Sequence, residues 1–364
     1  MTLATGSDLN GKLWKEYNVS TGVSVILGVV AFLLSIVDAH AQMDFYAGKQ
    51  ITLLIGTTPG GGYDAYGRLL ARYIGRHIPG NPAVIAKNMP GAGGVALANH
   101  LYNRAPKDGT EFATVQNGLA FEKLFHTLSP GGSAALFDST KFTWIGSMTQ
   151  TVFVTVTWHT SPVKTLQDAM TKEAILGASG TSADSYVLAM LCNNLLGTKF
   201  KVVQGYAGAT EVSLAVENGE VEGEAGKDWT TLTSTKPHWI RDKKINIIVQ
   251  MGLRPHADMK GVPMAIELAK TPDDRRVMEI VFAKFGMSRP FMAPPGLSSE
   301  RTDMLRRAFS ATLQDPMLLA EAEKLGMEIN PVSGDEVEAL VSRVMSTPDA
   351  LAERAREALK PPRQ

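Results

Sequence analysis

Short apolar runs alternate with glycine-rich turns and helical patterns in the first third of the chain. The runs at 51–55, 83–87 and 112–116 favour β-strands, and each leads through a turn into a segment with apolar positions at helical spacing. Three strand–loop–helix units in series predict a parallel sheet with crossover helices. In such a sheet the loops that follow the strands lie along one edge, where ligands bind.

The same alternation restarts in the second part of the chain. A β-branched run at 152–158 is followed by further apolar runs and helical patterns up to about residue 282. We place a hinge near 149–151, after a strand predicted at 144–148. Two similar α/β halves joined by more than one crossing describe a hinged clamp that holds its ligand between facing loops. The other strands are predicted at 174–178, 200–204, 221–225, 245–251 and 289–293.

The first loop after a strand contains three consecutive glycines, Gly60, Gly61 and Gly62. It opens a helix for which Asp64 can serve as the cap. Such a loop leaves several backbone N–H groups free, and the positive end of the helix dipole adds to their attraction for an anion. A second glycine loop, 91–94, follows the next strand. The alternative interpretation is a tight turn whose glycines only permit unusual dihedral angles.

Motifs for nucleotide binding and for hydrolysis are absent from the chain. It has no Gly-x-x-x-x-Gly-Lys-Ser/Thr sequence, and neither glycine loop has the Gly-x-Gly-x-x-Gly spacing of a dinucleotide site. It has no Gly-x-Ser-x-Gly elbow, and its seven histidines are scattered. With one cysteine, Cys192, it has no Cys/His set at metal spacing and no intramolecular disulfide. We therefore expect no cofactor, no metal and no catalytic residue.

The predicted loops are rich in Gly, Ser, Thr and Asn, and they offer backbone donors and neutral hydroxyl or amide groups. That capacity suits the reversible binding of a small anion such as a carboxylate. Ordinary turns between strands and helices have a similar composition, but two facing rows of such loops favour a site. The loops are 59–64, 88–94, 116–118, 179–185, 205–210 and 226–229, with Asp64, Asp184, Lys227 and Asp228 as the nearby charges.

The N-terminus has the features of an export signal. Lys12 and Lys15 precede an apolar run at 23–37, and the small residues Ala39 and Ala41 fit a signal-peptidase site. We predict cleavage after Ala41 and a periplasmic protein. A permanent N-terminal membrane anchor is the alternative.

Composition and charge agree with a soluble protein of about two domains. The chain has 364 residues, of which 44 % are apolar and 20 % are charged. Its 36 basic and 36 acidic residues balance, and no basic run or interleaved aromatic stripe is present. Nothing in the charge therefore indicates a nucleic-acid partner.

A set of short motifs, weak singly and specific in this order, resembles one known family. They are PGGGYD at 59–64, MPGAGG at 89–94, KDGT at 107–110, GYAG at 205–208, ENGEV at 217–221 and FMAPPG at 291–296. The family is that of the periplasmic substrate-binding receptors of tripartite tricarboxylate transporters, often called Bug receptors. The similarity spans about residues 44–326.

The resemblance implies an α/β fold, a two-lobed clamp of the periplasmic-binding-protein type (type II-like). Each lobe is a mainly parallel sheet flanked by helices, and the ligand lies in the cleft between the lobes. The implied division is a signal peptide at 1–41, a first lobe at 44–150 plus 286–364, and a second lobe at 151–285. The implied function is capture of a small organic carboxylate and its delivery to integral membrane transporter subunits. We expect a monomer.

The ligand-binding residues implied by this resemblance lie on both lobes. In the family the first two glycine loops hold a ligand carboxylate, largely through backbone groups and ordered water. We add Gln116 and Asn117 from the third loop, and Lys227, whose charge can replace a family lysine that is absent at Ala207. The complete set is Gly60, Gly61, Gly62, Tyr63, Asp64, Pro90, Gly91, Ala92, Gly93, Gly94, Gln116, Asn117, Ser179, Thr181, Ser182, Tyr206, Gly208, Lys227 and Asp228.

Two other functions and the nature of the ligand stay open. An enzyme acting on a small organic acid would need a titratable group in the cleft, such as Asp228. A ligand-sensing receptor would present the same clamp to a signalling partner. Tyr63, Tyr206 and Trp229 can stack on an aromatic acid, or they can pack at the hinge, so the ring content of the ligand is undecided.

Overall fold

The structure is a computed structural model, and it describes residues 45–125, 135–180 and 183–361. The predicted signal peptide and its cleavage site lie outside these ranges, as do Thr181 and Ser182 of the predicted ligand-binding set. Within the described ranges no helix has the length and apolar character needed to cross a membrane.

The strands form two separate sheets, each assembled from several strand–loop–helix units. In chain order the strands are β1 (Gln50–Ile55), β2 (Ala83–Asn88), β3 (Glu111–Thr114), β4 (Thr143–Ser147), β5 (Phe153–Trp158), β6 (Glu173–Ala178), β7 (Lys199–Gln204), β8 (Gly223–Asp228), β9 (Ile245–Met251), β10 (Pro290–Ala293) and β11 (Val332–Ser333).

The first sheet has the strand order β11-β4-β10-β3-β1-β2. β1 pairs in parallel with β2 on one side and with β3 on the other, as three consecutive crossover units require. β10 returns from the end of the chain and pairs antiparallel with both β3 and β4. Ile51, Leu53 and Ile55 of β1 are fully buried, so β1 forms part of the core of the first lobe.

The second sheet has the order β7-β6-β8-β5-β9. Its core is again parallel, since β6 pairs in parallel with β7 and β8. β5 enters antiparallel between β8 and β9. The two-lobed α/β clamp predicted from the sequence is confirmed. Both sheets are mixed because β5 and β10, the first strands after the chain crosses from one sheet to the other, run antiparallel to both of their neighbours.

Helices cover both sheets, and several begin at a residue whose side chain caps them. Thr165, Asp228, Thr271, Ser298 and Ser333 each accept a backbone N–H in the first turn of their helix. In chain order the helices are α1 (Gly62–Ile74), α2 (Val95–Asn103), α3 (Glu122–Phe125), α4 (Leu166–Thr171), α5 (Asp184–Leu191), α6 (Ala209–Glu217), α7 (Trp229–Thr235), α8 (Pro237–Arg241), α9 (Pro272–Phe282), α10 (Ser299–Thr312), α11 (Pro316–Lys324), α12 (Gly334–Met345) and α13 (Asp349–Ala358).

Two chain segments pass side by side between the sheets. Residues 148–151 lead from β4 to β5, and residues 285–289 lead back toward β10. Backbone hydrogen bonds join them: Met148 N to Arg289 O at 3.0 Å, Ser288 N to Thr149 O at 3.0 Å, and Thr151 N to Phe285 O at 2.9 Å. The stretch 149–151, predicted as a hinge, therefore lies in a paired crossing, which we call the double crossing.

The last helix, α13, contacts elements on both sides of the double crossing. Arg354 of α13 pairs with the buried Asp274 of α9. The Nδ2 of Asn194 donates to the carbonyls of Ala358 and Lys360, both at 2.9 Å. Arg356 donates to the carbonyl of Leu124 at 2.6 Å. The end of the chain thus bridges segments that the sequence assigns to different lobes.

Cys192 lies in the interior, at the point where α5 widens into a π-helical turn, Cys192–Leu196. Its side chain is 1 % exposed, and its sulfur is 3.8 Å from that of Met251 on β9. Burial raises the pKa of the Cys192 thiol to about 12. The thiol therefore stays protonated and unreactive in the folded protein.

Candidate functional site

The loops after β1, β2 and β3 lie together at one edge of the first sheet. Gly56, just beyond β1, donates to Thr114 O of β3 at 3.0 Å, and Met89, just beyond β2, donates to Ile55 O at 2.8 Å. A Cβ added to Gly56 would lie 3.6 Å from the Cα of Gly94. Parallel pairing therefore brings the two glycine loops and the segment at 116–117 side by side, as the sequence predicts.

The first glycine loop presents open backbone at the start of α1. Gly60 has a φ of +90°, which favours glycine, and Gly61 is the extended N-cap residue without a side-chain cap. A Cβ on Gly60 or Gly61 would meet no atom within 4 Å, and both residues are exposed. The positive end of the dipole of α1, a helix of 13 residues, therefore begins at exposed backbone.

Asp64 is not the N-cap that the sequence predicts; it lies in the first turn of α1. Its buried carboxylate accepts from Gly60 N at 2.9 Å, from Arg68 Nε at 3.0 Å and from Asn88 Nδ2 at 2.8 Å. Burial raises the pKa of Asp64, but these hydrogen bonds outweigh burial and hold the pKa below its usual value of 3.8. Asp64 thus ties the first glycine loop to the end of β2.

The second glycine loop has a run of left-handed backbone. Gly93 and Gly94 have φ values of +65° and +95°, and Ala92 has a φ of +44°. Pro90, Gly91, Ala92 and Gly93 are exposed, whereas Gly94 is buried against the first sheet. A Cβ on Gly93 would lie 3.5 Å from Oε1 of Gln116. The second loop and Gln116 therefore border the same space.

Tyr63 and Asn117 join the first and third loops. Asn117 N donates to the Tyr63 hydroxyl at 2.9 Å, and Asn117 Nδ2 donates to Lys284 O at 2.6 Å. Burial raises the pKa of Tyr63, and the Arg289 guanidinium opposes that rise. These two side chains connect the sheet edge to Lys284, the residue that directly precedes the return segment of the double crossing.

The second sheet contributes the loops after β6 and β7. Ser179 is half-buried beyond β6, Gly208 is the extended N-cap of α6, and Tyr206 packs against the core below α6. Trp229 is only 4 % exposed, so it is a core residue. Of the three aromatic residues considered for stacking on a ligand, Trp229 is thus the least accessible.

Asp228, at the end of β8, is tied to the double crossing. One carboxylate oxygen caps α7 by accepting from Thr231 N at 2.7 Å. The other accepts from the hydroxyl of Thr151. Asp228 thereby fixes the start of α7 relative to the segment that connects the two sheets.

Lys227 is buried beneath α6, with 6 % of its surface exposed. Its Nζ donates to Ser213 Oγ at 2.7 Å and lies 3.2 Å from Oε2 of Glu224. Burial raises the pKa of Glu224, and the attraction of Lys227 opposes that rise. The charge of Lys227 is thus already neutralised by Glu224 in the interior of the second lobe.

Two cations were not identified from the sequence: Lys284, which directly precedes the return segment of the double crossing, and Arg289, which ends it. Lys284 pairs with Asp184 at the start of α5 at 2.7 Å. Arg289 lies against Gly62, since a Cβ added to Gly62 would be 3.2 Å from its Nη2. Arg289 was assigned to the start of a strand, and no local pattern marks a residue that meets α1 from more than 200 residues away.

Chemically, the arrangement offers hydrogen-bond donors and positive dipole ends. In the described part of the chain no group of three or more His, Cys, Asp or Glu residues is placed to hold a metal ion. The acidic residues near the loops are themselves engaged, Asp64 with amides and Arg68, and Asp228 with Thr151 and Thr231. Such an arrangement of donors is chemically suited to an anion.

Comparison with known proteins gives relatives along most of the chain. No family model matches. The chain is 26 % identical over 311 residues to a UPF0065 protein in the gbd 5' region of Cupriavidus necator, which covers 84 % of this chain and 86 % of the relative. It is 24 % identical over 322 residues to a UPF0065 protein of Agrobacterium vitis, covering 87 % of this chain and 83 % of that relative.

Solved structures give the same fold. A TctC solute-binding protein from Polaromonas, solved without ligand, aligns with a TM-score of 0.66 at 18 % identity over 86 % of this chain and 99 % of its own. The periplasmic binding protein BugD aligns with a TM-score of 0.51 at 18 % identity, over 86 % and 98 %. The chain has the fold of the TctC and BugD solute-binding proteins. The resemblance drawn from the motifs is confirmed by these similarities.

Proposed function

We propose that the protein is an exported solute-binding receptor that captures a small organic carboxylate between its lobes. The observation that carries the proposal is the pair of exposed glycine loops at the adjacent ends of β1 and β2, with open space above Gly60 and Gly61. Free amides at a helix N-terminus bind anions, and such a site needs no catalytic group. The proposed contacts are the two glycine loops, Gln116 and Asn117 on the first lobe, and Ser179, Tyr206 and Gly208 on the second.

Similarity to solute-binding proteins supports this proposal. One further structure with the same fold, an R. palustris protein with a TM-score of 0.52 and 17 % identity, was solved with adipate. We further propose that the receptor works in the periplasm as a monomer after cleavage behind Ala41. It binds its ligand reversibly, without turnover, and delivers it to the integral membrane subunits of a tripartite tricarboxylate-type transporter.

Ligand binding is tested by thermal unfolding of the protein purified from the periplasm of an expression host. The panel contains succinate, malate, citrate, adipate and benzoate. A ligand at 100 times its Kd stabilises the folded state by about 2.7 kcal/mol, which raises the melting temperature by a measurable amount. If no acid of the panel changes the melting temperature, the proposed function is refuted. Intact mass of the same sample tests cleavage after Ala41.

Gly61→Val tests where the acid binds. Gly61 has φ −88° and ψ 172°, an extended conformation that valine readily adopts, and its Cβ would enter empty space. We expect a small drop in melting temperature without ligand, because valine is a poorer N-cap than glycine. We expect a loss of binding, because the side chain fills the space above the amides. Gly61→Ala, with a smaller side chain, should show an intermediate loss. Unchanged affinity in Gly61→Val would mean that the loop is only a turn.

A further inference from the structure

Arg289 places its guanidinium group beside the first glycine loop. It ends the return segment of the double crossing, immediately before β10. Its guanidinium carbon lies 4.6 Å from the ring centre of Tyr63 and 5.2 Å from that of Tyr66, both on α1. Its Nη2 lies next to Gly62. The double crossing and α1 together fix the position of this charge.

The charge of Arg289 has no acidic partner among the described residues, because none of the ion pairs within 4.0 Å includes it. Its Nη1 donates to the carbonyl of Ser288 at 2.8 Å, and its Nε is buried without a hydrogen-bond partner. The other cations near the predicted loops are each neutralised: Arg68 by Asp64 at 3.0 Å, Lys227 by Glu224 at 3.2 Å and Lys284 by Asp184 at 2.7 Å.

A half-buried cation without a counter-ion is unfavourable in the empty protein, because its surroundings replace water without supplying negative charge. Stacking on two tyrosine rings compensates in part. A carboxylate that reaches the amides of Gly61 and Gly62 would also come within reach of the guanidinium. It would supply the missing charge through charge-assisted hydrogen bonds, which are about twice as strong as neutral ones.

We propose that Arg289 is the counter-ion of the ligand carboxylate and the residue that makes the site select acids over neutral analogues. The inference rests on the proposed function and assigns a residue outside the motifs that suggested it. Because Arg289 belongs to the double crossing, a bound carboxylate joins the first glycine loop to the segment that connects the lobes. Arg289 thus gives the cleft a fixed positive charge in addition to its backbone donors.

The test compares matched acid and amide ligands in wild type and Arg289→Gln by isothermal titration calorimetry. The ligand is whichever of adipate, succinate or benzoate the wild type binds most tightly, and its partner is adipamide, succinamide or benzamide. Hydrogen bonds to charged groups imply that Arg289→Gln weakens binding of the acid by about 10- to 100-fold. The affinity for the amide should change much less, so the variant loses its preference for the acid.

Two further variants separate charge from packing. Arg289→Lys keeps the positive charge and should retain part of the preference for the acid. It also provides a test of the charge if Arg289→Gln does not fold. Arg241→Gln makes the same change of charge on the surface, where the side chain is 73 % exposed, and should bind like wild type. Circular dichroism melting without ligand reports any loss of packing on Tyr63 and Tyr66.

The outcomes distinguish this inference from the proposed function. If wild type binds an acid of the panel and Arg289→Gln binds it within about twofold of wild type, Arg289 only packs on the tyrosines and the inference falls, while the receptor function stands. If Arg289→Gln loses acid and amide equally, its role is structural, and the inference again falls. If wild type binds no acid, the proposed function fails first, and the inference fails with it.

Discussion

Lys227→Met removes the cation of a buried ion pair and leaves the carboxylate of Glu224 without a counter-charge. The side chains of Lys227 and Glu224 are 7 % and 3 % exposed, so water cannot replace the lost charge. Removing one partner of such a pair typically costs about 3–5 kcal/mol. The carboxylate can instead take up a proton, and the free energy of that protonation sets an upper limit on the stability lost by leaving the charge unpaired.

The limit depends on pH. The ordinary pKa of Glu224 is 4.5, and each pH unit above it makes protonation cost about 1.36 kcal/mol. The penalty of an unpaired Glu224 is therefore at most about 3.4 kcal/mol at pH 7 and about 1.4 kcal/mol at pH 5.5. A carboxyl group whose folded pKa is raised contributes most stability below its unfolded pKa and loses that contribution as the pH rises through its folded pKa. Removing Lys227 raises the folded pKa of Glu224 further.

We therefore expect Lys227→Met to lose about 2–3 kcal/mol of unfolding free energy at pH 7 and about 1 kcal/mol at pH 5.5. Urea titrations followed by tryptophan fluorescence at both pH values measure the difference. The double variant Lys227→Met with Glu224→Gln is the control, since it has no buried charge and should show the same loss at both pH values. A loss that is absent at pH 7, or that grows as the pH falls, would refute the reasoning.

Two further predictions concern the backbone and the first loop. Asp64→Asn should lower the free energy of unfolding at pH 7 by about 1.5–3 kcal/mol, because Arg68 and the loop lose a charged acceptor. The folded pKa of Asp64 lies below 3.8. The urea midpoints of variant and wild type should therefore converge as the pH falls below that value. Gly226→Ala adds a Cβ 2.4 Å from the carbonyl oxygen of Asp184, at a φ of +63°. Gly219→Ala is the control, because its φ is +75° but the space around its Cβ is empty, so it should lose only the roughly 1–2 kcal/mol of stability due to left-handed strain. Gly226→Ala should lose clearly more stability than this control. Equal melting temperatures of the two alanine variants would contradict the clash.

Local pattern was sufficient to predict where individual strands lie. Strand β9 has the predicted bounds, 245–251, and the run predicted at 152–158 becomes β5 (Phe153–Trp158). Each of these strands carries its own apolar signal, which depends only on neighbouring residues. The same holds for the glycine loops, because runs of glycine indicate unusual backbone conformations from the local sequence alone. The two-residue strand β11 has no comparable signal, because its pairing with β4 alone defines it.

The orientation of Lys227 could not be predicted from the strand pattern. Regular alternation places residues 224 and 227 on opposite faces of β8. The left-handed Gly226 and the register shift beside Val154 break the alternation and bring Lys227 to the side of Glu224. Sequence alone shows a glycine in a strand, not which way the following side chain turns.

Arg289 shows a second limit. Its partners, Tyr63 and Tyr66, are separated from it by more than 200 residues, and the contact exists only because the chain returns to the first sheet. Motif similarity marks the segment at 291–296 but not Arg289, which lies two residues before it. The position of a charged side chain that depends on tertiary contacts cannot be predicted from the local spacing of residues.

The enclosed thiol of Cys192 makes this chain convenient for optical labelling. With a single cysteine in 364 residues, and that one buried and protonated, thiol-directed dyes find no native target in the folded protein. A cysteine introduced at the exposed Ala207, in the loop before α6, becomes the sole reactive position. An environment-sensitive fluorophore there would sit at the edge of the proposed cleft, so the wild-type background already suits a one-step conversion into a fluorescent sensor for its own ligand.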